Sequence, residues 1–223
     1  KYQVNYVKTW SNKGKLLKKA IHTDEEITCL YIFNYNYNNL TKTVLSLGSE
    51  NGALYFLFYD NIDDNFNHIT ITNSMKGPIT EVDKVLSIPE FNYIIVAYRL
   101  VGIYIWHFND VHSLSYALFR RYIDCCHFDI ITGMCYIGNS LFASSSLDRD
   151  LIIWDINQDV PLQKFTHGSS IYDMKYSNEN NELITSCYDK NIRILALSKD
   201  KRSISNIDIM NGHSSMIKCY QID

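Results

Sequence analysis

Short apolar and aromatic runs recur along the chain, separated by turn residues instead of continuing into helix-length segments. A pattern of apolar, two residues, apolar, one residue, and apolar or aromatic occurs five times. It begins at Ile27, Val82, Ile131, Ile171 and Ile217, so the steps are 55, 49, 40 and 46 residues. Ser87, in the last place of the second copy, makes that copy the weakest. Repetition at this spacing is typical of a repeat architecture.

Each of the first four copies is followed by a turn rich in Asn, Gly or Pro and then by further strand-like segments. The second segments read TVLSLGS, YIIVAYR, LFASSSL and LITSCYD, and the most regular third segments read GIYIWHF, LIIWDI and NIRILAL. Short β-branched and aromatic runs between turn residues are typical of all-β proteins. The sequence therefore predicts an all-β fold built from repeated units of several strands.

The most regular unit carries the dipeptide Trp154-Asp155 at the end of its third strand. In this dipeptide and in its period the unit resembles a WD repeat, the four-stranded blade of a β-propeller. The resemblance implies a tetrad of side chains that hydrogen-bond in series and hold the strands together, namely His127, Ser144, Asp148 and Trp154. Asp155 is expected to be exposed, so that its replacement should cost less stability than the replacement of Asp148.

The other units keep only parts of this tetrad. The following unit matches with His167, Thr185 and Asp189 but has Leu195 at the Trp position. The first unit offers His22, Ser46, Glu50 and Phe56, and the second has Val96 and Leu100 in place of Ser/Thr and Asp. We expect a complete tetrad in one blade only.

The repeat positions also predict the domain organisation. Residues 1–223 are expected to form a single WD-repeat propeller domain or a fragment of one. Four full four-stranded blades are predicted at 27–73, 82–120, 131–166 and 171–209, with a partial blade at 1–21 and the start of a further blade at 213–223. The family mostly closes with seven blades, and open sheet edges promote aggregation. We therefore expect further sequence, or a partner's strands, at both ends.

Composition narrows the class of protein without defining a function. With 46% hydrophobic residues, 20% charged residues and a net charge of −3, the chain is neither intrinsically disordered nor a strongly basic duplex-DNA binder. The first residues lack the apolar core of a signal peptide, and the longest uncharged run, 130–147, is interpreted as two strands and a turn. We expect an intracellular protein, either cytoplasmic or nuclear.

The six cysteines form no C-x-x-C pair of the kind found in zinc ribbons and thioredoxin-type sites. Cys125, Cys126, His127 and Asp129 form the densest group of potential metal ligands. Adjacent residues of a strand point to opposite faces, which spoils the chelate at Cys125 and Cys126. We predict reduced structural thiols, no metal and no cofactor.

Motifs of the common enzyme classes are missing, including the P-loop, the dinucleotide fingerprint, the nucleophile elbow and HExxH. His22, His127, His167 and His213 already have an explanation in the repeat. We therefore predict that the protein is not an enzyme and has no small-molecule substrate. The predicted function is a scaffold that binds proteins or peptides and organises a larger intracellular complex.

In the family that the chain resembles, partners meet the face carrying the turns between second and third strands. The resemblance assigns to this face the residues before those turns, Ser49, Arg99, Leu147 and Tyr188, and a first-strand set of Thr28, Asp83, Thr132, Tyr172 and Lys218. The predicted partner-binding residues are Arg99, Leu147, Tyr172, Tyr188 and Asp83, with Arg and Tyr ranked first because they are enriched at interface hot spots. Contact through a blade edge or an insertion loop is the alternative.

Two other functions stay open. The segment Phe119-Arg120-Arg121-Tyr122 resembles the Phe-Arg-Arg-Gly motif of the PROPPIN family, so Arg120 and Arg121 could bind a phosphoinositide headgroup, although Tyr122 replaces the Gly. Apart from such headgroups, no membrane partner is expected. The Lys-rich run of Lys13, Lys15, Lys18 and Lys19, with abundant Tyr, could serve RNA binding in a ribonucleoprotein assembly factor.

Overall fold

The computed structural model describes residues 5–10, 16–23, 25–37, 40–60, 65–69, 77–110 and 115–218. Within these ranges the chain forms eighteen β-strands and one short 3-10 turn, Pro89–Phe91. The all-β fold predicted from the apolar pattern is confirmed. No helix in the described ranges has the length and apolar character needed to cross a membrane.

Apart from one two-stranded pair, the strands are arranged in four-stranded sheets, with the strands of each sheet adjacent in chain order. The pair consists of β1 (Asn5–Trp10) and β2 (Leu16–Thr23). The first two four-stranded sheets are β3 (Ile27–Tyr37), β4 (Leu40–Ser49), β5 (Leu54–Asp60), β6 (Asn65–Ile69), and β7 (Val82–Ile88), β8 (Tyr93–Tyr98), β9 (Gly102–Asp110), β10 (Ser115–Tyr122). The next two are β11 (Ile131–Gly138), β12 (Leu141–Ser146), β13 (Asp150–Asp155), β14 (Gln163–Thr166), and β15 (Ile171–Ser177), β16 (Glu182–Cys187), β17 (Ile192–Leu197), β18 (Ile204–Met210).

These bounds differ from the sequence-based ones mainly at the outer strands. Strand β10 continues to Tyr122, and the Tyr122 side chain is buried. Strand β18 ends at Met210. Residues 70–73 of the first predicted blade and 219–223 of the last lie outside the described residues, and 213–218 are described without a strand.

The chain divides into two compact units. Unit 1 comprises Lys1–Tyr98 and Trp106–Ala117, and unit 2 comprises Arg99–Ile105 and Leu118–Asp223. In unit 1, the Thr28 hydroxyl on β3 donates to the carbonyl of Val82 on β7 at 2.6 Å. Gly48 allows this close packing, since a Cβ there would lie 2.5 Å from Val82 Cγ1.

In unit 2 the same arrangement recurs between the sheets β11–β14 and β15–β18. The Thr132 hydroxyl donates to the carbonyl of Ile171 at 2.9 Å. A Cβ at Gly133 would lie 2.9 Å from Met174 Cβ, so the glycine permits the sheets to approach. The core between the sheets contains Ile137, Leu141, Ala143, Leu151, Ile153, Ile171, Met174, Leu183, Cys187, Leu195 and Leu197. Burial of this apolar surface is the main stabilising contribution in unit 2.

Strands β12 and β13 are buried along their whole length. Alternate side chains of β12 face the core just described, while Phe142 and Ser144 face Trp154 on the other side. The β11–β12 connection is tight because Asn139 and Ser140 both have positive φ, 56° and 64°. A two-residue hairpin of this kind needs positive φ at both positions, and Asn supplies the first readily.

Candidate partner-binding surface

His127, Ser144, Asp148 and Trp154 lie in one hydrogen-bonded series in unit 2. The Trp154 indole N–H donates to Ser144 Oγ at 2.8 Å. Ser144 Oγ lies 2.7 Å from His127 Nε2, and His127 Nδ1 lies 3.1 Å from Asp148 Oδ2. With Ser144 accepting from Trp154 and donating to His127 Nε2, the remaining ring proton is on Nδ1 and faces the carboxylate.

Asp148 also accepts backbone hydrogen bonds from both sides of the turn. The N–H of Phe128 donates at 2.8 Å and the N–H of Asp150 at 2.9 Å. Burial by itself raises the pKa of the Asp148 carboxyl. The bond from His127 and these N–H groups outweigh it and hold the pKa at about 2, below its usual 3.8. The carboxylate thus joins residues 127–128 to the turn formed by residues 148–150.

Asp155 is not exposed, contrary to the expectation for the second residue of the Trp-Asp dipeptide. Its residue exposure is 7%. One carboxylate oxygen accepts from Arg202 at 3.0 Å, and the other accepts the N–H of Asn157 at 3.0 Å. Arg202 belongs to the connection between β17 and β18, so Asp155 ties neighbouring sheets of unit 2 together.

The sheet β15–β18 has the tetrad's bond between histidine and hydroxyl but lacks the bond between histidine and aspartate. His167 Nε2 lies 3.0 Å from Thr185 Oγ1. Asp189, however, accepts from both terminal nitrogens of Arg193, at 3.1 and 2.5 Å, and His167 Nδ1 is buried without a hydrogen-bond partner. Burial, reinforced by the Arg193 charge, lowers the pKa of His167 from 6.5 to about 4.

In unit 1 the tetrad positions take other roles. The Ser46 hydroxyl donates to the carbonyl of Tyr31 at 3.1 Å, and the exposed Glu50 accepts the N–H of Glu26. Phe56 is buried edge-on against Phe108 with centroids 5.7 Å apart. The side chain of His22 lies outside the described residues.

Backbone and hydroxyl hydrogen bonds bring four short segments together at one edge of the two sheets of unit 2. These bonds join Leu147 N–H to Ile130 O (3.1 Å), Ser170 Oγ to Leu147 O (2.7 Å), Tyr188 N–H to Ser170 O (2.9 Å) and His167 N–H to Arg149 O (2.8 Å). We call this surface, formed by residues 127–130, 147–150, 167–172 and 187–191, the turn edge. It contains three of the predicted partner-binding residues, Leu147, Tyr172 and Tyr188.

Apolar and aromatic side chains gather on the turn edge. Tyr172 and Tyr188 are 6.3 Å apart between ring centroids, at an interplanar angle of 47°. Tyr188 is 56% exposed, and Leu147 is half-buried beside it in the same hydrogen-bonded network. Phe128 is 78% exposed, and the Lys164 ammonium lies 5.4 Å from its ring centroid. Sequence reasoning missed Phe128 because the residue occupies no repeated apolar position; its place directly after His127 was the available signal.

The other predicted surface residues differ in accessibility. Arg99, which follows β8, is half-buried in unit 2. Asp83 in unit 1 is only 7% exposed, because it sits within the buried strand β7, so it offers little surface to a partner. Thr28 and Thr132 use their hydroxyls within the protein, as described above.

Arg120 and Arg121 lie next to each other on β10, and successive side chains of a strand point to opposite faces. Arg120 forms an ion pair with Asp159 and packs against the Phe119 ring, whereas Arg121 is exposed. Tyr122 is 1% exposed, donates to the carbonyls of Asp155 and Gln158 at 3.0 Å each, and lies 4.6 Å from the Trp154 ring. This segment anchors a strand, and its geometry does not favour a grip by both guanidinium groups on one headgroup.

Among the cysteines that the structure describes, Cys126 and Cys187 are buried, and Cys29, Cys125 and Cys135 are partly buried. Burial raises the pKa of the Cys126 and Cys135 thiols to about 12 and that of Cys29 to about 11. Across the described ranges, no group of three or more His, Cys, Asp and Glu side chains is arranged to hold a metal ion.

Comparison with known proteins agrees with this architecture. The family model "WD domain, G-beta repeat" matches residues 159–194. The chain is 30% identical over 93 residues to the "Ribosome biogenesis protein WDR12 homolog" of Anopheles gambiae and 25% identical over 92 residues to that of Drosophila mojavensis. Each match covers 41% of this chain but only about a fifth of the relative, 21% and 22%.

The fold also matches a solved structure, "Structure of U3-55K", with a TM-score of 0.61 and 15% sequence identity. This match covers 87% of the chain and 54% of that protein. Together with the four-stranded sheets and the hydrogen-bonded tetrad, these matches define the class. The chain carries a WD repeat at residues 159–194, and its fold is of the β-propeller type.

Proposed function

We propose that this chain is a non-catalytic scaffold that binds other proteins of a multi-subunit complex through the turn edge. We further propose that the complex acts in ribosome assembly, in the nucleus or nucleolus. The similar insect proteins are named for ribosome biogenesis, which supports this assignment. The matches cover about a fifth of each of those proteins, so ribosome assembly is assigned to this chain by similarity.

The chemistry of the blades supports a structural rather than a catalytic role. His127 and Asp148 hydrogen-bond to each other within the tetrad. Asp189 is paired with Arg193, and Asp155 is paired with Arg202. Side chains held in such fixed pairs stabilise the sheets and leave the surface loops to carry function.

The observation that carries the proposal is the exposure of aromatic side chains on the turn edge. Phe128 and Tyr188 expose 78% and 56% of their surface on this edge, and the Tyr188 ring lies 6.3 Å from that of Tyr172. Aromatic residues in such clusters are typical of interface hot spots, where they supply large contact area at small entropic cost.

The test is the behaviour of the full-length protein in its complex. We expect Phe128→Ala combined with Tyr188→Ala to release the tagged protein from large assemblies on a sucrose gradient and to reduce its co-purifying proteins. Val160 is the matched control, because it is 59% exposed but lies in the β13–β14 connection, at the opposite end of the strands. Val160→Ala should leave the gradient profile unchanged. Equal profiles for both variants would contradict the proposal.

A further inference from the structure

The turn edge has a charge pattern as well as an apolar centre. Arg149 and Lys190 occupy the same place in two successive turns, each one residue after the turn Asp, and both are exposed. Both have positive φ, 79° and 68°. Among the ion pairs of the described residues, none includes Arg149 or Lys190.

The acidic residues of the same edge are mostly engaged. Asp148 is held by His127 and backbone N–H groups, and Asp189 is held by Arg193. Asp150 pairs with Lys164 at 2.5 Å and accepts from Thr166. Asp129 is exposed, and its carboxylate accepts the N–H of Ile130 at 2.7 Å. The edge therefore offers two unpaired cations against one exposed carboxylate.

Each of the two turns carries an apolar or aromatic residue as well as a cation. Leu147 directly precedes Asp148, and Tyr188 directly precedes Asp189, so each apolar residue stands two positions before a cation. The Tyr172 and Tyr188 rings are tilted to each other by 47°, so they do not form a parallel stack.

From this arrangement we propose that the turn edge binds an acidic segment of a partner protein. An aromatic or aliphatic side chain of the segment packs against Tyr172, Tyr188 and Leu147. Its Asp or Glu side chains pair with Arg149 and Lys190. This inference rests on the proposed function, to which it adds the chemistry of the partner.

A peptide fits the edge better than a nucleic acid does. Nucleic-acid binding relies on many phosphate contacts from a basic surface. This chain has a net charge of −3, and the turn edge has two unpaired cations. A short acidic segment needs only a few such pairs, and its affinity comes from the anchor side chain.

Peptide selection tests this partner chemistry directly. The full-length protein is panned against a random-peptide display library, and each selected peptide is then measured by fluorescence anisotropy. We expect the selected peptides to be rich in Asp and Glu around an aromatic or aliphatic residue. Arg149→Glu combined with Lys190→Glu should weaken their binding about tenfold or more at low salt. The same double variant should itself select Lys- and Arg-rich peptides.

A matched charge reversal away from the edge supplies the control. Arg121 on β10 and Lys199 in the β17–β18 connection are both exposed. Arg121→Glu combined with Lys199→Glu changes the net charge by the same amount, and it should leave both selection and affinity unchanged. Equal denaturation midpoints for all variants would show that the folds are intact.

The outcomes separate this inference from the proposed function. Selected peptides without acidic enrichment, or peptides that bind equally well to the edge variant, overturn the acidic-segment inference while protein binding stands. Loss of gradient assemblies in Phe128→Ala/Tyr188→Ala with no peptide selected also overturns it and leaves the proposed function in place. Tight binding of a labelled single-stranded RNA that is lost on reversal of Arg149 and Lys190 would replace it with a nucleic-acid site.

Discussion

At the scale of single residues, two carboxylates of the sheet β11–β14, those of Asp148 and Asp155, stabilise the fold through hydrogen bonds. Asp148 receives hydrogen bonds from the His127 ring and from two backbone N–H groups. Asp155 receives bonds from Arg202 and Asn157. Both are largely buried, so removal of either leaves donors without a partner.

We expect Asp148→Ala to lower the free energy of unfolding by about 1–3 kcal/mol, the range for stranding buried hydrogen-bond donors. Asp155→Ala should have a similar cost, because Arg202 would lose its acceptor. Asp208→Ala, at an exposed position of β18, should change stability by less than about 0.5 kcal/mol. Urea denaturation of the three variants measures these differences. A cost for Asp148→Ala no larger than that for Asp208→Ala would refute the role given to the tetrad.

His167 should make the stability of unit 2 depend on pH. Its folded pKa of about 4 lies below the ordinary value of 6.5, so between these values the unfolded chain binds more protons than the folded chain. The free energy of unfolding should therefore fall as the pH decreases from 6.5 towards 4, by an amount on the order of 3 kcal/mol. Denaturation curves of His167→Gln should lack most of this slope. A slope equal to that of the wild type would mean that other groups cause it.

At the scale of strands and sheets, local pattern and long-range contact account for different parts of the structure. The apolar repeat and the Trp154-Asp155 dipeptide were enough to predict the strands of unit 2, since each strand is defined by a few adjacent residues. The burial of Asp155 could not be read in this way, because it depends on Arg202, which lies 47 residues later. Phe128 was missed for a related reason, since its exposure depends on how four separate segments meet.

Asp189 of the sheet β15–β18 and Asp148 of the sheet β11–β14 have different partners because of one arginine. Arg193 stands opposite Thr185, the position that Ile152 occupies opposite Ser144. It binds Asp189, which in the other sheet corresponds to the carboxylate that contacts histidine Nδ1. Loss of the tetrad's Trp at Leu195 was visible in the sequence, but the diversion of Asp189 by Arg193 was not.

Arg193→Ile should therefore raise the pKa of His167. The change removes the cation that disfavours the protonated ring, and it frees Asp189 to pair with Nδ1. NMR titration of the imidazole signals measures the shift, with Lys190→Ile, a neutralised exposed cation three residues earlier, as the control. An unchanged or lower pKa in Arg193→Ile would show that Asp189 does not turn towards His167.

At the scale of the whole molecule, a mildly acidic chain presents a locally cationic surface. The net charge of −3 opposes approach to anionic lipids and to nucleic acids in general, whereas Arg149 and Lys190 can attract an acidic segment locally. Charges near an interface act mainly on partner choice and association rate. The fold could be predicted from the sequence repeats. The cationic character of the turn edge could not, because it depends on which aspartates are paired within the fold.

The same considerations lead to an expected result for membranes. Arg120 and Arg121 point to opposite faces of β10, Arg120 is paired with Asp159, and the molecule as a whole is negatively charged. We expect the full-length protein to remain at the bottom of a flotation gradient with phosphoinositide-containing vesicles. Arg121→Thr should behave identically, as should Arg120→Thr combined with Arg121→Thr. Flotation of the wild type that is lost in both variants would instead establish a headgroup site at the end of β10. The single variant is needed because a loss in the double variant alone could come from breaking the Arg120–Asp159 pair.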